Sequence, residues 1–149
     1  MQIRLSTVDE MLACEDGLFG EHWQEVAGFK KLMILAPDEE CYRAAEAAGQ
    51  LIVLAAFEGS TVVGYSVSII KAHLHYRDLT VAVNDVLFLT PAMRSRGNGD
   101  ALIAATEQHA RERGAKLLFW HAKLNTALDI MLPRKHGYVL HEHIYAKEL

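Results

Sequence analysis

The chain has 149 residues, of which 51% are hydrophobic, and a formal net charge of −4 with histidine counted as neutral. This length and composition predict a single folded domain, residues 1–149, with a real core, and they exclude a disordered chain. The acidic balance argues against a nucleic-acid surface, and no apolar run is long enough to span a membrane.

The first half of the chain predicts one strand followed by three helical pieces. Thr7 and Glu10 form the Thr-x-x-Glu pattern of a capping box, which begins a helix near residue 8. Gly17 and Gly20 are expected to interrupt that helix, and Gly49 is expected to end the third one as a C′ glycine. The predicted elements are a strand at residues 3–5, a helix from residue 8, a second at 21–27 and a third from residues 37–38.

The second half predicts a meander of three strands followed by alternating helices and strands. A hairpin turn at residues 58–60 joins the first two strands, and a loop at 73–78 follows the second. This order favours an α/β (α+β) sandwich built on a mixed sheet. The predicted strands are residues 51–57, 61–71, 81–89, 117–121 and 137–147, and the predicted helices are residues 100–113 and 125–132.

A basic, glycine-rich loop lies between the strand at 81–89 and the helix that follows it. Its pattern is Arg94-x-x-Gly97-x-Gly99, with Arg96 as a second cation. Glycine allows positive φ and close backbone approach, and the first N–H groups of a helix lack intrahelical partners. Such a loop predicts binding of a phosphate group.

The motif excludes two other kinds of phosphate loop. No Lys-Ser/Thr pair follows the glycines, as a mononucleotide P-loop requires, and Leu102 stands where a dinucleotide fingerprint needs its third glycine. The remaining pattern resembles the acetyl-CoA signature Gln/Arg-x-x-Gly-x-Gly/Ala of the GNAT N-acetyltransferase superfamily. The resemblance covers roughly residues 2–138, because the order of elements also matches.

This resemblance implies a GNAT fold, with a mixed, mostly antiparallel sheet, splayed central strands and helices on both faces. It implies acetyl-CoA as cosubstrate, with pantetheine filling the gap between the strands at 81–89 and 117–121. The oxyanion that forms during acetyl transfer is expected to accept a hydrogen bond from a backbone N–H of the Phe88–Leu89 segment. The predicted cofactor-binding residues are Phe88, Leu89, Thr90, Arg94, Ser95, Arg96, Gly97, Asn98, Gly99 and Asn125.

Direct acetyl transfer to an amine in a ternary complex needs a general base, because the amine must be neutral to react. Asp85 is the first candidate, since many members of the superfamily carry a carboxylate on this strand. Strict alternation predicts that its side chain shares a face with Val83 and Leu87. A surface aspartate or a partner for a backbone N–H is the structural alternative.

The group that protonates the departing thiolate is an open question in the sequence. Leu132 and Pro133 occupy the region where the superfamily often carries a tyrosine, and the spacing from Asn125 to Gly137 is one residue longer than usual. The candidates are Tyr145, which we include with Asp85 as a catalytic residue, His136 and Lys123, with solvent as the alternative.

Aromatic and histidine residues in the early helices and after the second meander strand are expected to bind the amine acceptor, a small molecule or a peptide. These candidates are His22, Trp23, His73, His75 and Tyr76. Trp23 is equally well explained as a core residue. The stretches that carry these residues, together with residues 144–147, look similar to phage and prophage members of the superfamily.

Two alternatives to a cytoplasmic N-acetyltransferase stay open. The first is a GNAT-fold module that binds CoA or a protein without efficient catalysis, which the missing tyrosine supports. The second is a metal-assisted hydrolase, because four histidines could in principle bind zinc, although we expect no metal. Those histidines form two pairs, His73 with His75 and His141 with His143. The two cysteines form no disulfide framework, a signal peptide is not evident, and a homodimer would be consistent with the fold.

Overall fold

The computed structural model describes the backbone of residues 1–149 and all side chains except those of residues 15 and 16. A π-helical turn, Glu15–Phe19, precedes α2, and 3₁₀ turns lie at Pro91–Met93 and Leu132–Arg134. The strands are β1 (Gln2–Leu5), β2 (Leu51–Glu58), β3 (Thr61–His73), β4 (Tyr76–Leu89) and β5 (Leu117–Trp120). The helices are α1 (Val8–Leu12), α2 (Gly20–Val26), α3 (Glu39–Ala47), α4 (Asn98–Glu112) and α5 (Ala127–Met131).

The five strands form one sheet in the order β1-β2-β3-β4-β5. Neighbours from β1 to β4 pair antiparallel, whereas β4 and β5 pair parallel. A parallel pair needs a crossover connection, and α4 supplies it. The predicted fold class, a mixed and mostly antiparallel sheet with helices, is therefore confirmed.

Two apolar cores cover the two faces of the sheet. On one face, Val8 and Met11 of α1 pack with Val53 and Val67 of the sheet. On the other, Leu102 and Ala110 of α4 pack with Ile52 and Leu54 of β2. Alternate residues of β2 thus serve opposite cores, which explains why this strand is apolar along almost its whole length.

The hairpin of β3 and β4 is longer than predicted, because residues 73–78 are not a loop. His73 pairs with Tyr76, and Ala72 pairs with Thr80, so that only residues 74 and 75 form the turn. The side chains in this part of the hairpin are mostly exposed and polar, so hydrophobic alternation is missing from the sequence. The backbone ladder nevertheless continues to the tip.

The early helices also differ from the prediction. Thr7 caps α1 as predicted, since its hydroxyl accepts the N–H of Glu10 at 3.1 Å, but the Glu10 carboxylate pairs with Arg4 instead of closing the capping box. Gly17 and Gly20 do not break the helical path. The π-helical turn carries the chain through Gly17 into α2, whose first residue, Gly20, has helical φ and ψ.

The C-terminal segment contains neither a helix nor a strand after residue 134, so the strand predicted at 137–147 is wrong. Strand β5 offers only four residues at this edge of the sheet. The apolar side chains of the segment, including Val139, Leu140 and Ile144, are exposed and pack into neither core. The apolar residues of this segment therefore do not suffice for a strand where the partner edge is this short.

Candidate active site

The central strands of the sheet separate halfway along β4. Pairing with β5 runs from Val81↔Leu117 to Asn84↔Trp120 and then ends, although β4 continues to Leu89. Residues 85–89 thus have no strand on that side. A cavity of about 510 Å³ occupies the gap, with residues 84–89 on one wall and His121 and Lys123 on the other. Its volume lies within the range of roughly 300–1,000 Å³ found for small-molecule sites.

Asp85 is the extra residue of a β-bulge. Val67 pairs with Val86 and Ser68 pairs with Asn84, which leaves Asp85 without a partner on β3. A bulge changes the side-chain alternation. Val86 therefore packs with the α1 core, whereas Leu87 packs with the α4 core. The prediction that Asp85 and Leu87 share a face is wrong for this reason.

The Asp85 carboxylate lines the cavity and accepts a hydrogen bond from the Tyr42 hydroxyl of α3 at 2.9 Å. Burial raises the pKa of Tyr42, and the neighbouring Asp85 raises it further. Tyr42 thus stays a neutral donor over the physiological range of pH. The neighbouring Asn84 is buried, and its amide donates to the carbonyls of Val67 and Val86, both at 3.1 Å. These bonds fix the backbone of the bulge.

His22 forms a second polar contact beside the cavity. Its Nδ1 lies 2.6 Å from the Tyr65 hydroxyl, and its ring stacks on Phe88 with 4.8 Å between centroids. The pKa of His22 is lowered to about 4, mainly by burial and also by the cations of Lys123 and Arg94, which together outweigh the opposing effect of Glu25 and Asp85. At neutral pH His22 is therefore an uncharged group that can exchange a hydrogen bond with Tyr65.

The low pKa of His22 predicts how the free energy of unfolding depends on pH. Between pH 6.5 and about 4 the unfolded chain binds a proton at His22 that the folded chain does not. The free energy of unfolding should therefore fall as pH falls through this window, by about 2–3 kcal/mol from this group. Denaturant titrations at pH 7 and pH 4 should show a smaller loss for His22→Gln than for the wild type, and equal losses would contradict the assignment.

The glycine loop presents backbone N–H groups. Gly97 has φ +78° and Arg96 has φ +59°, two successive left-handed residues before α4. Gly99, in contrast, is helical, so it does not need the positive φ that was predicted. The backbone bonds of this loop are Arg94→Pro91, Asn98→Ser95 and Ala101→Gly97. They leave five N–H groups without a backbone acceptor, those of residues 95, 96, 97, 99 and 100.

Arg94 is held by groups of the protein itself. Its guanidinium donates to both carboxylate oxygens of Glu25, at 2.8 and 2.6 Å, and its Nε donates to the Leu89 carbonyl at 2.7 Å. Its position between α2 and β4 was not predicted. Arg96 is exposed, and among the described side chains none forms an ion pair with it. Arg96 is thus the more available cation of the loop.

Three polar residues around the loop have structural partners. The Asn98 amide donates to the Met93 carbonyl at 3.0 Å, which closes the loop. Asp100 forms an ion pair with Lys135 at 2.5 Å, as expected for a carboxylate turned away from an anion site. The Thr90 N–H donates to Val63 on β3 at 2.9 Å, and Thr90 and Ser95 do not line the cavity.

Of the predicted acceptor residues, His22 and Trp23 line the cavity. His73, His75 and Tyr76 lie at the tip of the β3–β4 hairpin, where they contact one another and do not line it. Asn125 and Tyr145 are also outside the cavity lining. Tyr145 is 90% exposed with its ring beside His143, and Asn125 precedes the true cap of α5, Thr126.

Sequence reasoning missed three residues of the site, Glu25, Tyr42 and Tyr65. Each makes its contact with a residue more than 40 positions away along the chain. No local pattern marks such pairs. The one sequence feature that could have pointed to Tyr42 was its place on the third predicted helix.

Two further observations concern metals and membranes. Among the side chains that the structure describes, no group of three or more His, Cys, Asp or Glu residues is placed to hold a metal ion. His141 stacks on Phe119, whereas His73 lies at the hairpin tip. None of the helices in the described structure has the length and apolar character needed to cross a bilayer.

Comparison with known proteins identifies the family. The sequence model described as the acetyltransferase (GNAT) family matches residues 13–138. The chain belongs to the GNAT family of acetyltransferases. No curated protein sequence shows significant similarity to it. The superfamily resemblance of the glycine loop is confirmed, whereas the similarity to phage members stays a prediction.

Solved structures share this GNAT fold. A ribosomal-protein-alanine N-acetyltransferase from Brucella melitensis biovar Abortus 2308 is 16% identical, with 100% of both chains covered and a TM-score of 0.72. An aminoglycoside acetyltransferase from an uncultured soil metagenomic sample, solved with sisomicin, is 21% identical over 98% of this chain and 96% of its own, with a TM-score of 0.68. AAC(6')-Iy, solved with the bisubstrate analogue CoA-S-monomethyl-acetylneamine, is 19% identical over 99% and 98%, with a TM-score of 0.65.

Proposed function

We propose that the protein is an acetyl-CoA-dependent N-acetyltransferase that transfers the acetyl group directly to an amine acceptor in a ternary complex. One observation carries the proposal: the edge of β4 at residues 85–89 has no strand partner, and the cavity along it reaches both Asp85 and the glycine loop at Gly99. A single cavity can thus receive a phosphate-bearing carrier at one end and a proton-donating acceptor at the other.

The residues present fit the carrier. The pyrophosphate would bind the free N–H groups of residues 95–100, with Arg96 as the nearest uncommitted cation. The pantetheine arm would pair with the open edge of β4, which is β-augmentation within one molecule. Acetyl-CoA supplies an activated thioester. Side chains and backbone groups of this chain would supply the general base, the proton donor and the oxyanion contact.

Asp85 is the proposed general base. The amine nitrogen forms a bond to the acetyl carbon as the carbon–sulfur bond breaks, and its proton passes to the Asp85 carboxylate, directly or through water. The sulfur leaves as a thiolate that must be protonated. Of the candidate donors Tyr145, His136 and Lys123, Lys123 is the one that lines the cavity, so we assign the proton to Lys123 or to solvent.

Backbone alternation selects the oxyanion donor. The Thr90 N–H points toward β3, and the Leu89 carbonyl accepts Arg94 from the opposite side. Since N–H groups alternate along a strand, those of Leu87 and Leu89 point into the gap, whereas that of Phe88 points toward β3. Within the predicted Phe88–Leu89 segment, the proposal therefore uses Leu89, with Leu87 on the same open edge.

The second candidate function is a GNAT-fold module that binds CoA without efficient catalysis. The observation in its favour is the absence of a tyrosine at the end of α5, where Leu132 is buried and Pro133 follows. The two proposals share the binding step and differ in turnover. Release of free CoA thiol with an amine panel separates them.

Binding of acetyl-CoA can be tested at Gly97. Because this residue has φ +78°, Gly97→Val adds a strain of about 1–2 kcal/mol and distorts the N–H groups that would hold phosphate. Calorimetry should show acetyl-CoA binding to the wild type and at least about tenfold weaker binding to the variant.

Gly59→Val is the matched control for this experiment. Gly59 has φ +60° in the β2–β3 turn, and a Cβ there also meets open space, so the strain is similar but far from the cavity. Its affinity for acetyl-CoA should match the wild type. Equal affinity of all three proteins, or no binding by the wild type, would contradict the assignment of the loop.

A further inference from the structure

The cavity has an apolar wall. It is formed by Trp23 of α2 and by the segment 33–37 between α2 and α3. Met33, Ile34 and Leu35 are consecutive, line the cavity and are still 47%, 75% and 37% exposed. Isolated exposed apolar residues are common, but a run of them that faces a cavity marks a surface to be covered by a ligand.

This apolar segment is tied to the body of the protein. The Trp23 indole N–H donates to the Met33 carbonyl at 2.5 Å. The Lys30 ammonium lies 5.1 Å from the Trp23 ring centroid and donates to the Gln24 carbonyl at 2.8 Å. The segment is thus anchored on both sides of residue 32. Its apolar side chains are held at the cavity by these contacts, although they bury little surface themselves.

The charges of the cavity do not suit a polycation. Among the described side chains, those of Asp, Glu, Lys and Arg that line it are Glu25, Asp85, Arg94 and Lys123, two acids and two bases. Both oxygens of Glu25 are bound by Arg94, and Asp85 accepts from Tyr42. One carboxylate with free acceptor capacity is enough for one ammonium group. Because Glu25 and Arg94 compensate each other, several positive charges would instead meet the cation of Lys123.

We propose that the acceptor is a small-molecule primary amine with a single positive charge on an aryl or alkyl body. This inference rests on the proposed function. The body lies against Trp23 and segment 33–37, and the amine reaches Asp85. The volume of about 510 Å³ must also admit the thioester arm, which leaves room for a compact body. Apolar contact therefore sets affinity, and Asp85 sets the position of the nitrogen.

A panel of amines tests this class of acceptor, with kcat/KM measured by thiol release. Ethylamine and hexylamine differ by four methylenes and carry the same single charge, so full burial of the chain should favour hexylamine by about 250-fold, at roughly fourfold per methylene. Spermidine, neamine and a short peptide with a free N-terminus complete the panel. Equal kcat/KM values for ethylamine and hexylamine would overturn the inference. So would a higher kcat/KM for a polycation or the peptide than for hexylamine.

A variant pair ties the preference to the apolar wall. Ile34→Asn should lower the ratio of hexylamine to ethylamine kcat/KM about tenfold. Leu74→Asn changes another exposed apolar residue, 98% exposed at the β3–β4 turn and outside the cavity, and should leave the ratio unchanged. An unchanged ratio in Ile34→Asn would contradict the assignment of this wall.

Calorimetry with acetyl-CoA on the same preparations distinguishes a failure of the proposed function from a failure of the acceptor class. If acetyl-CoA does not bind, the proposed function fails and the acceptor class fails with it. If acetyl-CoA binds and its acetyl group is transferred to a polycation or a peptide, the function stands and the acceptor class is wrong. If acetyl-CoA binds and none of the amines in the panel is acetylated, the proposed acceptor class is also wrong.

Discussion

Asp85→Asn is expected to lower kcat for acetyl transfer by about 10²–10³-fold while the affinity for acetyl-CoA stays within about twofold of the wild type. Asparagine keeps the shape of the side chain and can still accept the Tyr42 hydroxyl, but it cannot take a proton from the amine. General-base catalysis contributes typically 10²–10⁴-fold, which sets the size of the loss. The proposed cofactor contacts use backbone groups of the glycine loop and the β4 edge, so they should be unaffected.

Steady-state kinetics with hexylamine and calorimetry with acetyl-CoA measure the two quantities. Tyr42→Phe is the matched control, because it removes the hydrogen bond to Asp85 and leaves the carboxylate in place. Its kcat should fall by less than about tenfold. If Asp85→Asn keeps wild-type turnover, or if Tyr42→Phe loses as much as Asp85→Asn, then Asp85 does not act as the base.

Gly64→Ala is expected to lower the free energy of unfolding by about 2–4 kcal/mol. Gly64 is buried on β3 opposite Leu89 of β4. A Cβ at this position would lie 2.6 Å from Leu89 Cδ1 and 2.7 Å from the Phe88 carbonyl oxygen. The leucine tip can turn away, but the carbonyl belongs to the backbone, so the strands must move apart. Overpacking of this kind costs about 1–3 kcal/mol or more.

Urea or guanidinium titration at pH 7 measures this effect, and a drop of roughly 5–15 °C in Tm should accompany it. Gly20→Ala is the control, because residue 20 is helical with φ −61° and a Cβ there meets nothing within 4 Å. That variant should be neutral or slightly stabilised. Equal stability of Gly64→Ala and the wild type would mean that the β3–β4 contact is looser than described.

Local sequence patterns predicted much of the fold and the glycine loop. The apolar run at 51–57, the capping threonine and the glycine after residue 48 each act over a few residues, so each can be recognised without the rest of the chain. The same holds for Gly97, whose neighbours mark a strand exit and a helix start. Asp85 was singled out through the superfamily resemblance, because many members carry a carboxylate on this strand.

Features that depend on the partner of a segment could not be predicted in this way. The bulge at Asp85 has no glycine or proline to mark it, and it became visible only through the pairing with β3. The Arg94–Glu25 pair joins residues 69 positions apart. The exposed residues 139–149 show the same dependence, because a segment with apolar residues but no long partner edge remained outside the sheet.

The bulge also determines which changes this strand can accommodate in evolution. Exchanging the residue at position 85 alters only the local chemistry, because the phase of its neighbours is preserved. Deleting Asp85 would remove only the extra residue, because Asn84↔Ser68 and Val86↔Val67 would then be consecutive pairs and Val86 and Leu87 would keep their opposite cores. A residue lost or gained elsewhere in the strand would instead exchange the two faces for every residue beyond it. The ladder would thus survive the loss of residue 85, whereas the cavity would lose the carboxylate that the bulge presents to it.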